Sequence, residues 1–157
     1  MRVIFLFVLL IQLQPVFSQN SLPGFEYDNF LGGKTNLSDF EGKVVYLEIW
    51  ASWCHFCRQE APFLKKLKRL FKNDNVVFIN VAIDDKEESW RNYIAKKKIG
   101  GVNLITYKGF ESDIIKHFEV TGIPYFILVD KTGKIVELNI TRPSDPLIIE
   151  KINTLLL

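Results

Sequence analysis

A chain of 157 residues is long enough for one domain with a sizeable core, and 48% apolar against 24% charged residues excludes an intrinsically disordered polymer. A formal charge of +2, from 20 basic and 18 acidic side chains, leaves no basic excess that would favour nucleic acid. The two cysteines, Cys54 and Cys57, are too few and too close for a disulfide-stapled scaffold, because closing so short a loop constrains the unfolded chain by only about 2 kcal/mol.

The N-terminus reads as a secretory signal. Arg2 precedes the uncharged run Val3–Ile11, far shorter than the roughly 20 apolar residues a spanning helix needs. Val16 and Ser18 occupy the two small-residue positions of a cleavage site after Ser18. Residues 1–18 are therefore expected to be a signal peptide and 19–157 a single domain. No cysteine lies there to carry a lipid, so no stable membrane anchor is expected.

Residues 20–43 are rich in Gly, Asn, Asp and Ser and predict a lead-in with one or two short strands. Val44–Ala51 is an apolar, β-branched and aromatic run, the pattern of a strand covered on both faces. From Phe56 to Phe71 the period becomes helical: Phe56, Phe63, Leu64, Leu67, Leu70 and Phe71 form an apolar stripe, with Lys65, Lys66, Lys68 and Arg69 opposite. Pro62 inside this pattern predicts a kink. Asn73-Asp74-Asn75 ends it, and Val76–Ala82 reads as a second buried strand.

A helix presenting Trp90, Tyr93 and Ile94 follows, ending near Gly100-Gly101, and then a short strand over Val102–Thr106. Phe110, Ile114, Ile115 and Phe118 suggest another short helix. Tyr125–Asp130 and Lys134–Leu138 flank Lys131-Thr132-Gly133, a hairpin signal. Asp145 as N-cap before Pro146 opens a terminal helix whose buried stripe is Ile148, Ile149, Ile152, Leu155 and Leu156. Strand, helix, strand, further helices and a closing hairpin predict an α/β layered domain with a mixed sheet. The basic runs Lys65-Lys66, Lys68-Arg69 and Lys96-Lys97-Lys98 read as solvated helix faces.

Chemistry concentrates at Trp53-Cys54-His55-Phe56-Cys57, where a buried strand hands over to a helix. At a helix N-terminus, free N–H groups and the helix dipole favour an anion, so a thiol at Cys54 ionises readily and becomes a nucleophile. Cys57, one turn on, is placed to resolve a mixed disulfide formed by Cys54. A bare C-x-x-C also occurs in zinc and haem sites. Haem attachment needs His after the second cysteine, where this chain has Arg58, and a closed zinc site needs four Cys or His ligands, with only His55 and His117 besides the pair.

Two carboxylates lie near. Glu48 sits inside the buried strand, where an acid tends to hold a proton, and beside a dithiol it can accept one from Cys57 and return it; the alternative is an edge position where it reaches water. Glu60 shares a stripe with Leu64, Leu67 and Phe71 and is either a second relay candidate or a favourable charge in the first helical turn. His55 can stabilise the Cys54 thiolate when protonated, or be an exposed loop residue. Phe56, at the start of the stripe, reads as packing, and His117 as a surface residue.

The stretch Gly42–Pro62, with Trp53-Cys54-His55-Phe56-Cys57 at its centre, together with Thr121-Gly122-Ile123-Pro124, resembles the thioredoxin superfamily, and specifically its extracytoplasmic TlpA/ResA-like branch. The resemblance covers roughly residues 22–157. It implies a thioredoxin-like fold, a mixed central sheet flanked by helices, with a helix–strand insertion before a cis-proline loop. It implies thiol–disulfide exchange with Cys54 attacking and Cys57 resolving, Glu48 matching the buried acid of thioredoxin and Glu60 an acid of the membrane-tethered branch. Trp53, cis Pro124 and the backbone of Ile123 would meet the substrate. His55-Phe56 replaces the usual Gly-Pro or Glu-Pro between the cysteines and would tune potential and partner choice, while Tyr125 stands where Thr is common.

The expectation is a monomeric enzyme without cofactor or bound metal that acts on protein disulfides or dithiols in the periplasm. As a reductase there, it would need a membrane or periplasmic electron donor. The competing possibilities are a peroxide reductase on the same fold, against which the paired cysteines argue, and a metal-binding, copper-delivery module using Cys54, Cys57 and His117.

Overall fold

The computed structural model describes residues 21–157 apart from 73 and 140, so the expected signal peptide lies outside the described residues. Seven strands form one mixed sheet: β1 (Glu26–Asn29), β2 (Lys34–Asn36), β3 (Val44–Trp50), β4 (Val76–Ala82), β5 (Val102–Ile105), β6 (Tyr125–Val129) and β7 (Ile135–Leu138). Their spatial order is β2-β1-β5-β4-β3-β6-β7. The β3–β4 and β4–β5 pairs are parallel; β3–β6, β6–β7, β1–β5 and β1–β2 are antiparallel. The helices are α1 (His55–Leu70), α2 (Glu87–Lys97), α3 (Asp113–His117) and α4 (Leu147–Leu156).

β3 lies inside the sheet, between β4 and β6, and is covered on both faces: all seven of its residues are buried. Alternation then divides the core. Val44 and Tyr46 pack with Phe78, Phe126, Leu64, Leu67, Phe71, Ile148 and Ile152, which places α1 and α4 on that face. Val45, Leu47 and Ile49 pack with Ile79, Val81, Ile127, Trp90, Ile94 and Ile114, which places α2 and α3 on the other. Glu48, even-numbered like Tyr46, belongs to the α1 side.

The elements fall where the pattern predicts, with instructive departures. α1 continues through Pro62 to Leu70, and its buried residues are Cys57, Glu60, Leu64 and Leu67, followed by its C-cap Phe71. Phe56, Phe63 and Leu70, expected in the stripe, are exposed instead. They sit one position off the buried line, and helical geometry outweighs their hydrophobicity. The terminal helix begins at Leu147, one residue later than expected, although Asp145 still accepts its N–H at 3.0 Å. Gly101 occupies φ +88° against the Phe78 carbonyl oxygen, where a Cβ would come within 2.6 Å. No helix among the described residues is long and apolar enough to cross a membrane.

Candidate functional site

β3 ends at Trp50 and α1 begins at His55, so the chain turns sharply through Ala51–Cys54 at the sheet's upper edge. That turn is clamped from β4's extension. The buried Asp84 carboxylate accepts the Ser52 N–H at 2.9 Å and, in a short contact, the Ser52 hydroxyl. The clamp delivers Cys54 as the N-cap of α1, in extended backbone conformation.

Cys54 and Cys57 are joined in a disulfide, with Cα atoms 5.3 Å apart. The Cys57 N–H donates to Cys54 Sγ at 3.1 Å, one of the orphan donors of the helix start. A donor and a helix dipole aimed at Cys54 favour negative charge on that sulfur once the bond is reduced. From the other side, Cys54 Sγ lies 3.7 Å from the Ile123 carbonyl oxygen, and the Ile123–Pro124 bond is cis. Trp53 and Phe56 are 54% and 60% exposed and His55 is exposed, its ring edge-on to Phe56. Phe56 thus lies on the surface beside the disulfide, correcting its reading as packing.

Glu48 is 5% exposed, which removes the edge-strand alternative. Burial pushes its carboxyl up to about 8, opposed by the Lys68 ammonium and reinforced by Glu60, so its protonated form is favoured well above the ordinary carboxylate range. Lys68 was expected on a solvated face. Its stem instead lies along the sheet, and its Nζ donates to Asn80 Oδ1 at 3.0 Å and the Gly100 carbonyl at 2.7 Å. Burial lowers its ammonium to about 8, resisted by Glu48. Asn80 is the β4 residue directly opposite Glu48, and its amide donates to Asn103 Oδ1 at 2.8 Å. Burial, followed by the charges of Glu48 and Glu60, pushes the Tyr46 phenol far above its ordinary value.

Glu60 is 7% exposed and joins the buried stripe, as its spacing predicts. It is not a first-turn charge: α1 has no acid in its first turn. Its carboxylate accepts the Ser144 N–H and hydroxyl, both at 3.0 Å, with Arg142 at 4.0 Å, so it ties the segment before α4 to α1. His117 is exposed as expected, packed edge-on against Phe25 and Phe118. Among the described residues no three His, Cys, Asp or Glu side chains are grouped to hold a metal ion, so the trio Cys54, Cys57 and His117 is not assembled.

Sequence reasoning missed Asp84, Asn80 and Lys68. Asn80 carried a signal, as the lone polar residue inside an apolar run, and so did Asp84, directly after that run. Lys68 carried none, because its helical position alone does not reveal a reach back to β4.

Comparison with known proteins agrees with this geometry. A profile described as thioredoxin-like matches residues 42–135. The chain is 30% identical to a thiol-disulfide oxidoreductase ResA of Bacillus thuringiensis over 115 residues, 73% of this chain and 65% of that protein. The chain thus spans about two thirds of the length of the ResA proteins it matches. It is 31% identical to the thioredoxin-like protein YneN of Bacillus subtilis, over 75% of this chain and 68% of that one. A solved candidate thiol-disulfide oxidoreductase from Bacteroides vulgatus superposes with a TM-score of 0.75 at 37% identity, covering 84% of this chain and 86% of that one.

Proposed function

The chain belongs to the thioredoxin-like family, and on that premise we propose that it is a thiol–disulfide oxidoreductase working through Cys54 and Cys57 on protein substrates outside the cytoplasm. The observation that carries the reading is Cys54 Sγ at the α1 N-cap, bonded to Cys57 and accepting the Cys57 N–H. That is the sulfur whose thiolate the helix start favours.

In the reducing direction the Cys54 thiolate attacks one sulfur of a substrate disulfide, and the other substrate sulfur leaves as a thiolate. Cys57 then loses its proton and attacks Cys54 Sγ. The Cys54–Cys57 disulfide forms as the mixed-disulfide bond breaks, the second substrate sulfur leaves as a thiolate that then takes up a proton, and the substrate has gained two electrons. Glu48 and Cys57 line one cleft, and Glu48 in its ionised form takes the proton of Cys57. Exposed Trp53 and the backbone of Ile123, whose carbonyl lies against Cys54, supply the docking surface, and Pro124, next in the chain, is itself buried. His55 and Phe56 set the potential and partner choice. Glu60 acts by holding the segment before α4 rather than as the main relay.

The apolar start at Arg2–Ile11 supports export across the inner membrane to the periplasm, with 19–157 as the mature domain acting as a monomer. There a reductase must be recharged by a membrane or periplasmic dithiol donor. Trapping tests the assignment. Cys57→Ser, reduced and mixed with a disulfide-bonded protein, should accumulate a mixed disulfide through Cys54, released by dithiothreitol. Cys54→Ser should accumulate none. Equal trapping by both variants would overturn the division of roles.

A further inference from the structure

Beside α1, between it and the end of α2, lies a cavity of about 510 Å³. Its walls are apolar: Trp50, Ala61, Pro62, Leu64, Tyr93 and Ile99. Glu48 and Cys57 stand at its inner end, and Lys68 lies within it, engaged with Asn80 and Gly100. The opening is cationic on both sides. α1 contributes Arg58, Lys65 and Arg69, spaced along one side of the helix, with Lys72 just past its C-cap, and the end of α2 contributes Lys97 and its C-cap Lys98. All six are exposed, and among the described residues none of them makes an ion pair. The only carboxylate in the lining is Glu48.

Two basic runs that read separately as solvated helix faces are thus brought by the fold to opposite lips of one apolar cleft. Like charges so placed repel one another, and their joint field attracts an anion. The apolar depth offers little to a nucleotide or a bare phosphate, but it suits a hydrocarbon or aromatic body, and the volume falls within the range of small-molecule sites. We propose that this cleft binds a small amphiphilic organic carboxylate, its apolar body between α1 and α2 and its carboxylate among the lysines and arginines of the rim. The site approaches the disulfide from the Cys57 side, whereas Ile123 approaches from the Cys54 side, and it stands whether or not the cysteines exchange disulfides.

Calorimetric titration of the full chain, disulfide intact, tests this with three probes below any micelle concentration: sodium decanoate, decyltrimethylammonium and sodium acetate. Decanoate should bind saturably at one site, and the other two should not. Lys65→Glu/Arg69→Glu, at exposed positions with no structural partner, should weaken decanoate at least tenfold, about 1.4 kcal/mol. Ala61→Trp, filling the cleft, should abolish binding while circular dichroism shows the fold retained. The proposal is overturned by no saturable decanoate binding, by equal binding of the cation or of acetate, or by indifference to both variants. Binding of anionic phosphatidylglycerol vesicles without binding of free decanoate would also overturn it, making the cleft a membrane contact.

Discussion

Replacing Glu48 with Gln keeps the shape of the side chain and removes its ionisation. Burial raises the folded carboxyl from its ordinary 4.5 to about 8, so between those values the folded chain keeps a proton that the unfolded chain has released. Stability therefore falls as pH rises through that window, by at most about 1.4 kcal/mol per pH unit. Water entering the cleft reduces the effect to about 2 kcal/mol in total between pH 5 and 8. Urea unfolding with the disulfide intact, measured at half-unit steps, should show wild type and variant matched near pH 5. The variant should then become the more stable by about 2 kcal/mol at pH 8. The resolving attack by Cys57 should slow in the variant and lose its rise toward pH 8. Parallel stability profiles for the two proteins would refute the buried, protonated Glu48.

Two further substitutions probe the frame around the site. Asp84→Ala removes the carboxylate that holds the Ser52 N–H and hydroxyl. It should cost about 1–3 kcal/mol in chemical denaturation; a loss below about 0.5 kcal/mol, the size of an ordinary surface change, would mean the turn before Cys54 does not depend on it. Gly101→Ala sets a methyl within 2.6 Å of the Phe78 carbonyl oxygen at φ +88° and should destabilise by about 2 kcal/mol or more, whereas Gly32→Ala, at φ +97° with open space around it, should cost about 1 kcal/mol.

Much of this architecture is legible in the amino-acid order because burial on both faces leaves a one-dimensional trace. Val44–Trp50 and Val76–Ala82 stand out as apolar runs each interrupted by a single polar residue, Glu48 or Asn80, and the Lys131-Thr132-Gly133 turn announces the final hairpin. The cysteine pair was equally plain, since a strand-to-helix boundary is a local property. What the sequence hid was contact between distant segments. Glu60 meets Ser144 across 84 residues, and Lys68 reaches Asn80 from another element. The exposure of Phe56 and Phe63 was hidden for a different reason, because hydrophobicity marks a stripe only to within one helical position.

The central claim is that Cys54 and Cys57 form a working redox couple, and its equilibrium potential tests that most directly. The protein would be equilibrated in graded dithiothreitol buffers and followed by the fluorescence of Trp50, in the core, and Trp53, beside the disulfide. One reversible two-electron transition at or below about −250 mV is expected for a reductase. A transition near −120 to roughly −180 mV would reverse the proposed direction of electron flow, and no reversible two-electron transition would contradict the redox function itself.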